Sequence, residues 1–146
     1  MNSLKRVFSW VTKRIFSWVF VKFGIVGAIG ILVNFALYWA LTSILGAHYL
    51  LAGAIATELA ILNNFALNDI WTFRERRGGT RIIVRILNFH WSRLLGFLVT
   101  IGSTYMLVDL MGLDKNISYL FAIGLGTLTN FFTSDIYVWP EKELKR

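Results

Sequence analysis

The sequence predicts an all-α membrane protein with four transmembrane helices, arranged as two tandem helical hairpins behind an N-terminal amphipathic helix at the membrane interface. Hydrophobic residues make up 56% of the 146 residues, charged residues make up 16%, and the mean hydropathy is +0.61. A soluble domain of this length needs more charge to cover its surface. The apolar residues also form long blocks, since no Lys or Arg occurs between Lys22 and Arg74. Only Lys115 occurs between Arg93 and Lys142, so each gap fits two spans and a tight turn.

The net charge of +7 comes mainly from three basic segments, at residues 5–22, 74–93 and 142–146. An even number of spans between them places all three on one face of the membrane, which the positive-inside rule makes cytoplasmic. We therefore predict a multi-pass protein of the cell (plasma or inner) membrane with both termini cytoplasmic. Its basic patches are expected to contact anionic lipids or a cytoplasmic partner rather than nucleic acid. The sequence has no Cys, which excludes disulfides and thiolate metal sites.

Residues 1–20 contain a short duplication, KRVFSWV at 5–11 and KRIFSWV at 13–19. When residues 1–20 are drawn as a helix, one side of the helix is apolar and the other is basic and polar. The apolar side carries Leu4, Phe8, Val11, Ile15, Trp18 and Val19, and the polar side carries Lys5, Arg6, Ser9, Lys13 and Ser17. This pattern predicts a basic, aromatic-rich helix that lies on the cytoplasmic leaflet.

Residues 21–139 form the predicted four-helix membrane domain. The spans are expected at about 21–45, 49–73, 92–111 and 117–139, with a cytoplasmic connection at 74–91 and a cytoplasmic tail at 140–146. Gly78-Gly79 predicts a flexible break in the connection. The mixture of Arg and Ile that follows Thr80 predicts a second surface-lying helix.

The fourth span repeats the second. NFALNDIWTF at 64–73 aligns without gaps on NFFTSDIYVW at 130–139. Upstream, Tyr49 matches Tyr119 if about one helical turn is missing from the later copy. The glycines at 24–30, which permit close helix packing, find a looser match at 96–102. The repeat predicts two hairpins with the same orientation in the membrane, as in transporters built from parallel repeats.

The second span holds carboxylates and amides within an apolar run. Glu58 and Asp69 are eleven residues apart, which places them within about 20° of each other on a helix. Asn64, Asn68 and Trp71 form a separate stripe. A carboxylate costs at least about 2.5 kcal/mol at the bilayer centre, so it is normally sheltered and functional. Interhelical hydrogen bonds, worth about 0.6 to 2 kcal/mol each, are the alternative role for the amides.

The sequence resembles the GtrA-like membrane proteins, also found as the transmembrane domain of some dolichol-phosphate mannose synthases. The resemblance covers about residues 21–139. Its motifs are FGIVGAIGILVN at 23–34, HYLLAGAIA at 48–56, NNFALNDIWTFRERR at 63–77 and NFF at 130–132. Many members have a basic residue after the signature asparagine, where this chain has Asp69. In that respect the chain is similar to the mannose-synthase type.

The resemblance implies that the protein assists translocation (flipping) or handling of a polyprenyl-phosphate-linked sugar in cell-surface polysaccharide biosynthesis. Amides and carboxylates suit sugar hydroxyls, and the substrate-binding candidates are Asn34, Glu58, Asn64, Asn68, Asp69, Asn130 and Asp135. Basic side chains suit the phosphate, because guanidinium pairs with it bidentately. The phosphate-binding candidates are Lys22, Arg74, Arg77 and Arg93.

Two other functions fit the same pattern. One is a non-transporting membrane anchor or scaffold for a polyprenyl-phosphate glycosyltransferase, which we expect to be a separate chain because no such domain precedes the membrane part. The other is a small proton-coupled exporter in which Glu58 titrates. No Ser-His-Asp, Cys-His or metal-ligand cluster occurs, so we predict no enzyme activity, catalytic residue, metal or cofactor. Four helices are few to enclose a bulky sugar, which is compatible with a homo-oligomer.

Overall fold

The computed structural model describes residues 3–77 and 80–141, and this part of the chain is helical without any β-strand. Helix α1 is Ser3–Ile15. The other four helices each end in a wider, π-helical turn. They are α2 (Trp18–Trp39, then Ala40–Ile44), α3 (Tyr49–Leu67, then Asn68–Thr72), α4 (Ile82–Tyr105, then Met106–Leu110) and α5 (Lys115–Thr133, then Ser134–Val138). Arg74–Arg76 form a short 3-10 turn.

The chain divides into two compact units, Met1–Glu75 and Arg76–Arg146. The first unit contains α1 and the hairpin of α2 and α3, which we call hairpin 1. The second contains the hairpin of α4 and α5, which we call hairpin 2. The predicted tandem arrangement of two helical hairpins is thus present. Gly78-Gly79 and the basic residues Lys142, Lys145 and Arg146 of the predicted tail lie outside the described residues.

Three of the described helices are long and apolar enough to cross a membrane: Trp18–Ile44, Tyr49–Thr72 and Ile82–Leu110. The first two agree closely with the predicted spans at 21–45 and 49–73. Helix α5 is not among the three. Between Ile117 and Ser134 it carries Asn130 and several Ser, Thr and Gly residues, which lower its hydropathy. Its crossing of the membrane stays a prediction.

Helix α4 corrects one expectation. The predicted surface helix after Thr80 and the predicted span at 92–111 are a single continuous helix, Ile82–Leu110. No Gly or Pro interrupts the sequence between Ile82 and Leu95, so nothing stops the backbone from continuing as a helix. At 1.5 Å per residue it is about 43 Å long, longer than a hydrocarbon core of about 30 Å.

Both hairpins turn in the same way. Gly46 and Gly112 have φ values of 65° and 69°, in the left-handed region that glycine adopts without steric cost. Two residues later, a side chain caps the next helix. In hairpin 1 the His48 side chain accepts from the Leu50 backbone N–H at 3.3 Å. In hairpin 2, Asp114 Oδ1 accepts from the Asn116 and Ile117 backbone N–H groups, each at 3.0 Å.

The structure fixes the register of the repeat at a constant 66 positions, as for Gly46 and Gly112. The match of Tyr49 with Tyr119 through a missing turn was therefore wrong, because Tyr49 is equivalent to Lys115. Each residue opens a helix of 19 residues. The looser match of glycines was also wrong, since Gly30 rather than Gly24 is equivalent to Gly96. The error arose because exposed positions diverge freely between the copies, whereas buried positions keep the constant spacing.

Small buried residues recur every fourth position on the second helix of each hairpin. They are Ala52, Ala56 and Ala60 on α3, and Ser118, Ala122 and Gly126 on α5. Rows of small residues let two helices approach closely, which is the common way to pack helices in a membrane. These rows were not predicted from the sequence.

Large apolar side chains on the helices point outward. On α2, for example, Ile31, Leu32 and Phe35 are each about 70% exposed. The inside of each hairpin instead ends in a pair of aromatic rings. Phe23 and Phe73 pack edge-to-face with ring centroids 6.4 Å apart, and Phe89 and Trp139 do so at 5.7 Å. An apolar exterior around a small-residue interior suits a lipid environment.

Candidate functional site

Polar side chains cluster at the end of α3, where the helix widens into its π-helical turn. Asn68, Asp69 and Thr72 are buried, with exposures of 1%, 3% and 6%. Asn64 lies one turn earlier and is half-buried, and its backbone carbonyl accepts from Asn68 Nδ2 at 2.9 Å. π-helical turns within α-helices are frequent at functional sites.

Asn64 is held against α2 by the absence of a side chain at Gly30. A Cβ atom added at Gly30 would come 2.6 Å from Asn64 Cγ and closer still to both terminal atoms of the amide. Any other residue at position 30 would therefore displace Asn64. Hairpin 2 repeats the arrangement, because a Cβ atom at Gly96 would come 2.5 Å from Asn130 Cγ. Each predicted asparagine is thus positioned by a glycine of the facing helix.

Several buried polar atoms of hairpin 1 have no hydrogen-bond partner in the part of the chain that the structure describes. They are Asn63 Nδ2, Asn64 Oδ1, Asn68 Oδ1 and Thr72 Oγ1. Burial of an unsatisfied polar group costs about 1–3 kcal/mol. Such groups are uncommon in native proteins, so four of them within ten residues of one helix indicate a site whose hydrogen-bonding capacity is kept for something other than folding.

Hairpin 2 satisfies most of its equivalent groups internally. The buried Ser92 hydroxyl lies 2.6 Å from Thr133 Oγ1 and 3.3 Å from Ser134 Oγ, and it donates to the Asn130 carbonyl at 3.2 Å. Of the amide and hydroxyl groups at this end of hairpin 2, Asn130 Oδ1 is the described atom left without a partner. Sequence reasoning missed this hydroxyl cluster, because single Ser and Thr residues carry little signal in an apolar segment.

Asp135 belongs to an ion pair rather than to an open site. Arg76 Nη1 donates to Asp135 Oδ1 at 2.7 Å and to the Trp139 carbonyl at 3.2 Å. Arg76 Nη2 also donates to Glu141 at 3.1 Å. The arginine thus ties the end of α5 to the start of the second unit, ahead of α4. The sequence analysis proposed Asp135 for substrate and did not single out Arg76.

The predicted phosphate-binding cations fall into two groups. Lys22 Nζ lies 5.5 Å from the centroid of the Trp71 ring, and Arg74 is exposed nearby in sequence; both belong to the first unit. Arg77 and Arg93 belong to the second unit. Arg77 is exposed, and the Arg93 guanidinium carbon lies 4.2 Å from the Phe89 ring centroid.

A further cation, Arg85, was predicted as part of the surface-lying helix after Thr80 and not as a site residue. Arg85 is buried and its Nη1 donates to the Arg77 carbonyl at 2.7 Å and to the Thr80 carbonyl. It therefore fastens the connection that precedes α4. A cation bound in this way to backbone carbonyls acts mainly as a structural brace.

Asn34 and Glu58 lie further along hairpin 1, away from the buried row. Asn34 Nδ2 donates to Thr57 Oγ1 at 3.1 Å, which is the interhelical hydrogen bond that the sequence left as one alternative. Glu58 is exposed, whereas Asp69 is buried. Buried positions on α3 recur every fourth residue, and four residues advance about 40° beyond a full turn. The buried face therefore rotates along the helix, and two residues on the same side of α3 can have different surroundings.

The predicted stripe of Asn64, Asn68 and Trp71 is also corrected. Trp71 is 38% exposed, and Thr72 takes the buried position instead. The π-helical turn at Asn68–Thr72 explains the shift, because it adds a residue to the turn. No group of three or more His, Cys, Asp or Glu side chains that could hold a metal ion occurs among the residues that the structure describes.

Comparison with known proteins matches residues 22–139 to the family described as GtrA/DPMS, transmembrane domain. The chain is also similar to a dolichol-phosphate mannosyltransferase from Pyrococcus furiosus, with 42% identity over 102 residues. The match covers 64% of this chain and 28% of that protein. The chain therefore corresponds to less than a third of the length of this relative.

Proposed function

Because the chain belongs to the GtrA/DPMS transmembrane-domain family, we propose that it assists the translocation or handling of a polyprenyl-phosphate-linked sugar in cell-surface glycan synthesis. The observation that carries the proposal is the row of buried polar atoms without partners on α3. Sugar hydroxyls both donate and accept hydrogen bonds, so they can satisfy amide oxygens and a threonine hydroxyl. A membrane helix that needs these groups only for folding would pair them internally, as hairpin 2 does with Ser92, Thr133 and Ser134.

The spacing of the row supports contact with an extended polar ligand. Asn64, Asn68 and Thr72 follow one another every four residues, or about 6 Å per step along the helix axis. The row therefore offers hydrogen-bonding positions over about 12 Å. Asn130 Oδ1 provides an equivalent single acceptor in hairpin 2.

The charged and apolar parts of the ligand have suitable counterparts. Lys22 and Arg74 lie near the end of α3 that carries the amides and are suited to a phosphate at the membrane surface. The exposed apolar surface of α2 and α3 offers contacts for an isoprenoid chain, which is as apolar as the surrounding lipid. The phosphate, which joins the sugar to the isoprenoid chain, would then lie between the polar row and the apolar surface.

The proposed topology has four crossings and both termini in the cytoplasm. Helix α5 with its π-helical turn, Lys115–Val138, matches the length of α3 with its turn, Tyr49–Thr72. It spans about 36 Å, enough for a bilayer core. Four crossings return the chain to its starting side, which places the basic segments on the cytoplasmic face.

Reconstitution of the full chain in liposomes tests the proposal. The probe is a polyprenyl-phosphate mannose, and the readout is the rate at which its sugar becomes accessible to periodate, which does not cross the membrane. We expect wild-type protein to accelerate this rate over protein-free vesicles, and Asn68→Ala or Asn64→Ala to reduce it about tenfold, the effect of losing one good hydrogen bond. Asn116→Ala is the matched control, because Asn116 is exposed at the start of α5.

A scaffold for a membrane glycosyltransferase is the second candidate. The similarity to a fraction of a protein named as a mannosyltransferase favours it. In that case the protein would retain the enzyme on the membrane and leave the rate of sugar movement at the protein-free level. The same liposome experiment therefore separates the two functions, since only a carrier changes the periodate-accessible fraction.

A further inference from the structure

Helix α1 precedes the region that matches the family, which begins at residue 22. From Lys5 to Trp10, every residue of α1 is exposed. The helix ends at Ile15, and Ser17 then caps α2 by accepting from the Phe20 backbone N–H at 3.2 Å. A break of two residues thus separates a largely exposed helix from a membrane-spanning one. The proposed handling of lipid-linked sugar does not account for this helix.

The charge on α1 is of one sign. Lys5, Arg6, Lys13 and Arg14 lie on it, and no Asp or Glu occurs in the sequence before Glu58. No Lys or Arg of the first 57 residues can therefore pair with an acidic side chain in the same segment. A surface with several cations and no acid is complementary to a negatively charged partner.

Aromatic side chains on both copies of the short duplication are exposed. Phe8 is 74% exposed in the first copy, and its equivalent Phe16 is 85% exposed in the second. Trp10 and Trp18, also equivalent, are 38% and 65% exposed. The Arg14 guanidinium carbon lies 5.6 Å from the centroid of the Trp10 ring. Each copy therefore combines a Lys-Arg pair with an outward Phe and Trp.

We propose that the two copies form a paired anchor that docks on anionic lipid headgroups at the membrane surface, with Phe8, Phe16 and Trp18 inserted at the level of the headgroups. Trp10 points about 160° away from Phe8 on α1 and stays beside Arg14. Tryptophan favours this level of a bilayer, and a Lys-Arg cluster next to a membrane-spanning helix attracts anionic lipid. Helix α1 must lie close to the membrane surface, because the membrane-spanning α2 begins at Trp18, only three residues after α1 ends. The anchor is independent of the sugar site.

Spin labels test the anchor in the full-length chain, which contains no natural Cys. Val7→Cys and Ser9→Cys are a matched pair, because both positions are exposed and they point to opposite sides of the helix, about 160° apart. The protein is placed in nanodiscs of phosphatidylcholine alone or with about one third phosphatidylglycerol. The measurement is the ratio of collisions of each label with oxygen, which enters the bilayer, and with a water-soluble nickel chelate.

With phosphatidylglycerol, we expect the oxygen-to-nickel ratio at position 7 to exceed that at position 9 by at least about threefold. The difference should shrink in pure phosphatidylcholine and at about 1 M salt, where the Debye length falls to about 3 Å. Replacing all four cations of α1 by Gln should remove the dependence on phosphatidylglycerol. Replacing Phe8 by Ser should weaken docking, and also replacing Phe16 and Trp18 should abolish it, whereas Trp10→Ser should have a smaller effect than Phe8→Ser.

Equal ratios at positions 7 and 9 in both lipids would overturn the anchor, and would instead point to α1 as a surface for a protein partner. A difference that persists unchanged after the Lys and Arg substitutions would also overturn it, because docking would then be purely apolar. Elution volume and helical circular dichroism verify that each variant is folded. The outcome is unaffected by whether the protein moves sugar, so the two proposals fail separately.

Discussion

Hairpins 1 and 2 have the same backbone frame and different polar interiors. Glycine faces asparagine in both, at Gly30 and Asn64 and again at Gly96 and Asn130. At the next pair of facing positions, hairpin 2 has Ser92 and Ser134, whose hydroxyls lie 3.3 Å apart. Hairpin 1 has Val26 and Asn68 at the equivalent positions, and Asn68 Oδ1 has no described partner. The shared features therefore maintain the fold. The differences leave more unpartnered amide and hydroxyl groups at this end of hairpin 1 than at the equivalent end of hairpin 2.

The two hairpins differ again four positions further on, at Thr72 and Val138. Thr72 of hairpin 1 is equivalent to Val138 of hairpin 2, and both are buried. A valine fills nearly the same volume without a polar atom, so the threonine hydroxyl is not required for packing. Its presence in hairpin 1 adds one more buried group without a described partner.

The largest effect is expected for the ion pair of hairpin 2. Asp135→Asn should lower the free energy of unfolding by about 3 kcal/mol, because it removes the buried carboxylate that pairs with the partly buried Arg76 and leaves the exposed Glu141 as the other described acidic contact. The midpoint of denaturant unfolding in mixed micelles measures the change. Asp109→Asn, at an exposed position, is the control and should change the midpoint little. Equal effects of the two substitutions would mean that the pair does not stabilise the end of α5.

Glycine substitutions should have the next largest effect and should be the same in both hairpins. Gly30→Ala and Gly96→Ala each force a Cβ atom into an asparagine side chain and should cost about 1–3 kcal/mol of stability. Gly24→Ala is the matched control, since nothing lies within 4 Å of its Cβ position, and it should be neutral or slightly stabilising. If Gly30→Ala were harmless while Gly96→Ala was not, the two hairpins would not share this contact.

Substitutions at Ser92 and Asn68 should change the stability by a smaller amount, and should do so differently in the two hairpins. Ser92→Ala removes a hydroxyl with three partners and should destabilise the protein by about 1 kcal/mol. Asn68→Leu removes an amide whose oxygen has no described partner, so it should be neutral or stabilising in the same denaturant unfolding assay. A loss of stability with Asn68→Leu as large as with Ser92→Ala would show that Asn68 is a packing residue.

The sequence predicted the hairpins correctly because the bilayer demands long apolar segments whose backbone groups are satisfied internally. It also predicted the equivalence of residues 64–73 and 130–139, which carry the buried polar and aromatic positions. It did not predict that α4 is continuous, because Arg and Ile alternate in its first turns as they would in a surface helix. The helix is continuous because no Gly or Pro occurs between Ile82 and Leu95.

The site was predicted less completely. Asn64, Asn68 and Asn130 stood out as amides in an apolar segment, and the structure places all three on the inner faces of the hairpins. The separation of Glu58 from Asp69 could not be predicted from helical angles alone, because the rotation of the buried face depends on how the helices cross. Arg76 and Arg85 were not predicted as site residues because an arginine in a basic segment gives no sign of the carboxylate or carbonyl that it will contact.

The most direct test of the central claim makes the two hairpins chemically alike at one position. Asn68→Ser gives hairpin 1 the residue found at Ser134, and Ser134→Ala is the paired change in hairpin 2. We predict that Asn68→Ser slows periodate-detected movement of the mannose-linked probe in liposomes about tenfold, while Ser134→Ala leaves the rate near that of the wild type. Wild-type rates for both variants, or an equal loss in both, would contradict a polar site specific to hairpin 1.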